Sequence, residues 1–186
     1  MARRNDKRSR LVCAADKLFH EQGINITTLA NIAQLAEVPL GNVYYYFKSK
    51  ESIILAVIEN RRSILQQQFE ELNAIVDNKA RLQAFIRHDI ANSAQTANFG
   101  DVLGSLCQEL GKQSGPIANA AAELMQEIIN WCEKQFVSLG KADRAKKLAL
   151  NLIACLQGTN LLTLTLKTPS LVEEQANFLT SWLEAA

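Results

Sequence analysis

The stretch TTLANIAQLAEVPLGNVYYYFKSKE, residues 27–51, decides how this chain folds. It begins with Thr27 and Thr28, whose hydroxyls can cap the first turn of a helix. Apolar residues then recur at helical spacing in two short runs, at Leu29, Ile32, Ala33 and Leu35 and again at Leu40, Val43 and Phe47. Pro39 stands before the second run, where its missing amide proton is not needed for helical hydrogen bonds. The stretch therefore predicts two short helices separated by a tight turn.

Two short helices joined by a tight turn are typical of a helix-turn-helix, whose second helix enters the major groove of DNA. Burial of Ile32, Ala33, Val38 and Val43 would hold the two helices at their crossing angle. The outward side of the second helix and the positions flanking the motif then offer the candidate DNA contacts. These are Thr28, Leu40, Gly41, Asn42, Tyr44, Tyr45 and Lys50.

Each candidate offers something that a protein–DNA interface requires. Gly41 removes bulk, which lets the N-terminus of the second helix come close to the duplex. Asn42 can hydrogen bond base edges, and a tyrosine hydroxyl can bond a phosphate oxygen while its ring packs on sugars or a thymine methyl. Lys50 lies where a cation can meet the phosphate backbone, and Thr28 combines a hydroxyl with exposed backbone amides.

Four consecutive aromatic residues, Tyr44 to Phe47, end the second helix. Neighbours on a helix are about 100° apart, so four in a row cannot all face a core. We expect Phe47 and Tyr46 to pack inward and at least one other tyrosine to stay exposed beside Lys48 and Lys50. The alternative is that the aromatic residues serve the core alone.

The rest of the chain also carries apolar residues at helical spacing. A first helix ends at Gly23, and a long fourth helix opens at Ser49 and runs to about Leu72. Further helices are predicted over 78–94, 101–111, 117–139, 142–166 and 170–183. The predicted fold is all-α, with an N-terminal three-helix helix-turn-helix domain over residues 1–50. A C-terminal helical bundle is predicted over residues 51–186.

Charge is unevenly distributed along the sequence. Residues 1–62 hold ten Lys/Arg against six Asp/Glu, a balance of +4, whereas residues 63–186 hold ten against thirteen, a balance of −3. Most of the excess lies in the first ten residues. This basic end indicates either a polyanion partner or a solvated, frayed terminus.

Composition excludes several other classes. Cys13, Cys107, Cys132 and Cys155 form no C-x-x-C pair and the chain has two histidines, which excludes the usual zinc sites and a disulfide framework. No phosphate loop, nucleophile elbow or close His/carboxylate pair is visible, so we expect no enzyme, no cofactor and no metal. The sequence has no apolar run of about 18 uncharged residues and no signal-peptide core, which predicts a soluble cytoplasmic protein without a membrane partner.

Residues 27–33 and 36–51 resemble the DNA-binding domain of the TetR/AcrR family of transcriptional regulators, and Phe19 and Gly23 sit where that family also carries them. Glu37 departs from the family's usual turn glycine and Pro39 from its usual serine. Glu37 implies a turn that either avoids positive φ or tolerates it at some cost. Residues 100–110 further resemble the C-terminal domain of the LmrA/YxaF-like subgroup.

The resemblance implies a homodimer that places two recognition helices in successive major grooves of a near-palindromic double-stranded operator. Phosphate contacts are expected from Thr28, Tyr44 and Lys50. Base or groove contacts are expected from Leu40, Gly41, Asn42 and Tyr45. The basic arm of Arg3, Arg4, Lys7 and Arg8 either adds phosphate or minor-groove contacts or is disordered.

The resemblance also implies a dimer interface and a small-molecule pocket in the C-terminal helices. The 142–166 helix is apolar on more than one face, so it is either shared with a partner or buried at the centre of a monomer. The predicted interface residues are Leu152, Leu156, Gly158, Phe178, Leu179 and Trp182. The candidate pocket residues, with ordinary core positions as the alternative, are Phe85, His88, Phe99, Cys107, Trp131 and Gln157.

The leading interpretation is a ligand-responsive repressor. An unknown small-molecule effector would favour a spacing of recognition helices that no longer matches one turn of DNA, about 34–36 Å. The alternative is an all-helical protein–protein or membrane-surface interaction module without sequence-specific DNA binding.

Overall fold

The structure, a computed structural model, describes the backbone of residues 2–185 and the side chains of residues 6–184. These residues form ten α-helices and contain no strand, which confirms the all-α prediction. The helices are α1 (Ala2–Gln22), α2 (Leu29–Leu35), α3 (Leu40–Tyr46), α4 (Lys50–Asn73), α5 (Asn78–Arg87), α6 (Ser93–Phe99), α7 (Val102–Leu110), α8 (Pro116–Ser138), α9 (Ala145–Leu166) and α10 (Ser170–Ala185).

One predicted helix is wrong. The sequence predicts a single helix over 78–94, whereas α5 ends at Arg87 and a 3-10 turn over His88–Asn92 leads into α6. Neither Arg87 at the start of this turn nor Asn92 at the start of α6 makes a side-chain capping bond. Gly100 then ends α6 at φ 84°, a left-handed conformation that glycine adopts without strain.

The predicted helix caps are present. The Thr28 hydroxyl accepts a hydrogen bond from the Asn31 amide at 3.1 Å, and the Asn31 side chain accepts one from the Thr28 amide at 3.0 Å. Ser49 and Ser52 make the equivalent pair at the start of α4, each bond 3.3 Å long. Local side-chain chemistry therefore sets where α2 and α4 begin.

Contacts divide the chain into two compact units. The first contains Met1–Ile64 and Ser105–Leu124, and the second contains Leu65–Gly104 and Met125–Ala186. The boundary predicted at residue 50 falls inside the first unit, at the N-terminus of α4.

The core of the first unit joins α1 to α4. Leu11, Ile32, Val43 and Ile53 are fully buried there. Beside this core, the Arg61 guanidinium on α4 donates to the Asp16 carboxylate on α1 at 2.7 Å. Burial raises the pKa of Asp16 in spite of the neighbouring Arg61 charge, so this carboxylate depends on its partner.

Aromatic packing organises the second unit. The rings of Phe69 and Trp131 stack with centroids 4.9 Å apart, and Phe85 lies 5.3 Å from Trp131. Trp182 meets Phe136 edge-on at 6.1 Å, which ties α10 to α8. Offset and edge-on contacts of this kind stabilise a core beyond the apolar area that they bury.

Helix α9 is the one helix among the described residues that is long and apolar enough to cross a membrane by length and composition. A central helix of a soluble protein passes the same test. Only 33% of its apolar window is buried inside the chain. Helix α9 thus contributes one face to the second unit and leaves another uncovered.

Candidate nucleic-acid interface

Helix α3 is anchored by one face and exposed on the other. Val43 is fully buried and Phe47, at the C-terminus of α3, is 3% exposed. Leu40, Tyr44 and Tyr45 are 42%, 51% and 57% exposed. Because apolar and aromatic side chains of this size normally lose water contact on folding, the exposed face indicates a partner.

The aromatic run divides much as the sequence predicts. Phe47 packs inward, and Tyr46 is half-buried with its ring edge-on to Tyr45 at 5.1 Å. Tyr44 and Tyr45 remain exposed on the outward face of α3. The interpretation that all four aromatic residues serve the core is therefore wrong.

Gly41 lies in the first turn of α3 with open space above it. A Cβ built at this position meets nothing within 4 Å, and the residue does not have positive φ. Neither packing within the chain nor backbone conformation therefore requires glycine here. Glycine in a helix interior costs about 1 kcal/mol relative to alanine, so its presence points to a body outside the chain that approaches α3 closely.

Thr28 and Lys50 lie at the ends of neighbouring helices. The Thr28 hydroxyl caps α2 and donates a hydrogen bond to the Asn31 side chain at 2.6 Å. A phosphate at this turn would therefore meet exposed backbone amides in addition to the hydroxyl. The Lys50 ammonium donates to the Asn25 carbonyl at 3.3 Å, which holds the start of α4 against the α1–α2 loop. Asn42 is half-exposed on α3.

The turn between α2 and α3 has positive φ at a non-glycine residue. Glu37 has φ 50°, so of the two alternatives left open by the sequence, the chain tolerates the strained conformation. Arg10 on α1 donates to the carbonyls of Ala36 and Glu37 and pairs with the Glu37 carboxylate at 3.2 Å. Sequence reasoning counted Arg10 only as part of a basic end and missed this contact.

Other basic residues of α1 are placed differently. The Arg8 guanidinium lies over the Phe47 ring, 5.3 Å from its centroid. Lys7 is half-exposed. Arg3 and Arg4 lie outside the described side chains. A contact from α7 was also missed by the sequence: the Glu109 carboxylate accepts the Ile24 amide at 2.8 Å in the α1–α2 loop.

The predicted pocket residues do not share one environment. Phe85 and Trp131 are in ring contact in the second unit, whereas Cys107 belongs to the first unit and donates to the Ala121 carbonyl. His88 and Phe99 are exposed. A groove of about 480 Å³ runs along α8, and none of the six predicted pocket residues lines it. The groove is lined by Asn130, Glu133, Lys134, Val137 and Ser138.

Gln157 takes part in a half-buried polar cluster of the second unit. Its amide donates to the Asp101 carboxylate at 3.2 Å, and Asp101 also accepts the Gly104 amide in the first turn of α7. A Cβ at Gly104 would lie 2.3 Å from the Gln157 side-chain oxygen, so a larger residue here would displace the Gln157 side chain from its present position. Burial and the Asp101 charge raise the pKa of Asp89 nearby.

The thiol of Cys132 lies in the core of the second unit. The residue is fully buried, and burial strongly raises the pKa of its thiol. Because the thiolate is the reactive form, burial disfavours reaction at this cysteine.

Two of the predicted dimer contacts need correction. Leu152 of α9 and Leu179 of α10 are 0% and 2% exposed. Both side chains point into the core of the second unit, so they are not available to a partner subunit. Leu156 and Trp182 are half-buried against the same core. Gly158 and Phe178 are exposed, as an interface with another molecule requires.

An all-α chain with a buried helix-turn-helix core and an exposed, aromatic recognition helix defines a DNA-binding regulator. Residues 11–57 match the model of the family described as bacterial regulatory proteins, tetR family. The chain is 28% identical to the HTH-type transcriptional regulator LmrA of Bacillus subtilis over 166 residues, which are 87% of this chain and 88% of LmrA. The chain is therefore similar to TetR-family transcriptional regulators, to the family model over residues 11–57 and to LmrA over most of its length.

Solved structures of family members have the same fold. A TetR transcriptional regulator from Legionella pneumophila superposes with a TM-score of 0.83 at 20% identity, over 92% of this chain and 94% of that chain. A TetR-family regulator from Agrobacterium tumefaciens superposes with a TM-score of 0.84 at 17% identity, over 95% and 97% of the two chains. The likeness therefore covers both units, beyond the helix-turn-helix.

Replacing Gly41 with alanine should separate stability from DNA binding. We expect Gly41→Ala to leave the free energy of unfolding unchanged or raise it by up to about 1 kcal/mol, because alanine favours the helix. The same methyl should weaken operator binding about tenfold by blocking close approach. Denaturant unfolding and a DNA-binding titration measure the two effects. Unchanged affinity would show that the space above α3 is not used by DNA.

Proposed function

We propose that the protein is a cytoplasmic repressor that binds a near-palindromic operator as a homodimer and leaves it when a small-molecule effector binds. The exposed face of α3, with Gly41 open to the outside and Tyr44 and Tyr45 uncovered, is the observation that carries the proposal. Nothing in the described residues favours the alternative of an interaction module without DNA binding.

Phosphates and bases would contact different parts of this surface. Tyr44 and Lys50, at the end of α3 and the start of α4, would position the protein by bonding phosphates, with Thr28 adding the amides at the start of α2. Leu40, Gly41, Asn42 and Tyr45 would face the bases. Of these, Asn42 alone carries an amide that can read an adenine edge in the major groove.

A second copy of the chain would cover the outer face of α9 and α10. Leu161, Leu162 and Leu166 of α9 are 50%, 54% and 60% exposed, and Phe178 of α10 is 62% exposed. Soluble monomers rarely leave this much contiguous apolar surface uncovered. Gly158 lies on the same side of α9 with nothing within 4 Å of an added Cβ, which leaves room for close helix contact. Two copies of α9 and α10 would form a symmetric four-helix interface.

The effector would bind in the second unit. Phe85 and Trp131 offer aromatic surface, and Gln157 offers an amide fixed by Asp101. Apolar surface with a few oriented polar groups is the usual composition of a small-molecule site. His88 and Phe99 stay predicted contributors to this site, whereas Cys107 lies in the first unit.

Removing the proposed phosphate contacts should weaken DNA binding and its salt dependence together. We expect Tyr44→Phe with Lys50→Ala to reduce affinity at least about tenfold, because hydrogen bonds to charged groups are lost. The slope of log affinity against log salt should fall by about 1 for the lost lysine. Lys112→Ala, a charge removed from the loop after α7, is the control. An unchanged affinity and slope in the double variant would contradict the assignment.

Charging the outer face of α9 and α10 should separate the subunits. We expect Leu162→Glu with Phe178→Glu to give a monomer in size-exclusion chromatography with light scattering, because the interface would bury two unpaired charges from each subunit. Val76→Glu is the matched control, since Val76 is 94% exposed in the loop after α4. A double variant that remains dimeric would place the interface elsewhere.

Effector binding should release DNA through the second unit. We expect a small molecule that co-purifies with the protein, identified by native mass spectrometry, to lower operator affinity when added back. Phe85→Ala should reduce that effect about tenfold, whereas Val76→Ala should not. A compound that works equally on the Phe85→Ala variant would rule out Phe85 as a contact.

A further inference from the structure

We propose that Arg10 is a positioning residue for the recognition helix, because its guanidinium holds Glu37 in the left-handed conformation on which the α2–α3 turn depends. The proposal rests on the proposed DNA-contact face of α3, since it concerns how that face is presented. Arg10 would act through the turn and not by touching DNA.

The α2–α3 turn has the hydrogen bonds of a motif that usually ends helices with glycine. The Val38 amide donates to the Ala33 carbonyl at 2.9 Å, and the Glu37 amide donates to the Gln34 carbonyl at 3.1 Å. This Schellman pattern requires positive φ at residue 37. Glycine adopts that conformation without strain, whereas the Cβ of glutamate crowds the following carbonyl. The turn therefore contains a residue poorly suited to its backbone conformation.

Arg10 contacts the α2–α3 turn at three points, one on Ala36 and two on the strained Glu37. Its Nη2 donates to the Ala36 carbonyl, lies 3.4 Å from the Glu37 carbonyl and lies 3.2 Å from the Glu37 carboxylate. Both carbonyls stand at the C-terminus of α2, where carbonyl groups lack helical partners and a positive charge is favoured. One guanidinium thus bonds the backbone and the side chain of the same turn.

The backbone contacts matter more than the ion pair. The Glu37 side chain is 86% exposed and that of Arg10 is 38% exposed, so their charge interaction is screened by water. A surface ion pair of this kind contributes little alone, whereas the hydrogen bonds to the two carbonyls fix the direction in which the chain leaves α2. Val38, 4% exposed, follows at once and leads through Pro39 into α3.

Salt dependence distinguishes positioning from direct contact. A residue that neutralises a phosphate adds to the slope of log affinity against log salt, because counterions leave the DNA when it binds. A residue committed to the turn changes affinity but not this slope. The two roles of Arg10 therefore give different results with the same variant.

The experiment measures binding of Arg10→Ala, Arg10→Lys, Glu37→Gly and Arg10→Ala/Glu37→Gly to a duplex that the wild-type protein selects from a random-sequence library. We expect Arg10→Ala to weaken binding about tenfold, equivalent to about 1.4 kcal/mol, with an unchanged salt slope. Arg10→Lys should weaken it less, since lysine keeps one positively charged donor group but cannot reproduce the position of Nη2. The affinity of the double variant should lie within about twofold of that of Glu37→Gly alone, because a turn with glycine at position 37 is unstrained and does not need the Arg10 contacts.

Lys7→Ala is the matched control, because it removes a positive charge from α1 and leaves Arg10 in place. Glu37→Gly should not restore any affinity that Lys7→Ala loses. A salt slope that falls by about 1 in Arg10→Ala, or a double variant no better than Arg10→Ala, would overturn the proposal.

Amide hydrogen exchange tests the contacts between Arg10 and the α2–α3 turn in the absence of DNA. The Val38 amide should exchange faster in Arg10→Ala and return to the Glu37→Gly rate in the double variant, because its bond to Ala33 reports opening of the turn. If Arg10→Ala does not fold, Arg10→Lys with and without Glu37→Gly gives the same comparison. If the wild-type protein selects no duplex, the proposal that α3 binds DNA is refuted and the proposed role of Arg10 in the turn is not. If the Val38 amide of Arg10→Ala exchanges at the wild-type rate, the proposed role of Arg10 alone is refuted.

Discussion

The burial of one face of α3 is the constraint on which the rest of this protein depends. Val43 has no solvent contact, and it packs in a core that also buries Ile32 of α2 and Ile53 of α4. Because helical residues about 100° apart point in different directions, anchoring Val43 forces Tyr44 and Tyr45 outward. The same apolar contacts that stabilise the first unit therefore expose the side chains that we propose meet DNA. One face of this seven-residue helix contributes to stability, and the opposite face carries the exposed residues proposed for recognition.

Such a short helix cannot set its own orientation. Seven residues form about two turns, which are marginal in water without tertiary support. The support comes from both ends: Arg10 bonds the turn before α3, and the Arg8 guanidinium lies over the ring of Phe47 at its end. Residues that the charge pattern alone would assign to DNA are therefore engaged with the protein. The basic charge of α1 lies close to the recognition helix for a structural reason as well as an electrostatic one.

Helix α9 shows the same division of faces on a larger scale in the second unit. Leu148 and Leu152 belong to the core, whereas Leu161, Leu162 and Leu166 are exposed. The composition of an apolar helix of this length is equally compatible with a membrane span, the core of a monomer or an interface between subunits. Its partial burial leaves an apolar outer face, on which we propose that a second copy of the chain packs.

The sequence by itself determined the helical class, the caps at Thr28 and Ser49, and the recognition-helix positions, because these depend on local periodicity and on side chains within one turn of the backbone. It did not determine the break after Arg87, the inward orientation of Leu152 and Leu179, or the bonds that Arg10 and Glu109 make with distant turns. A helix that is apolar all round contains no signal of which face meets its own chain. A contact between residues 27 positions apart, like that of Arg10 with Glu37, exists only once the fold has brought them together.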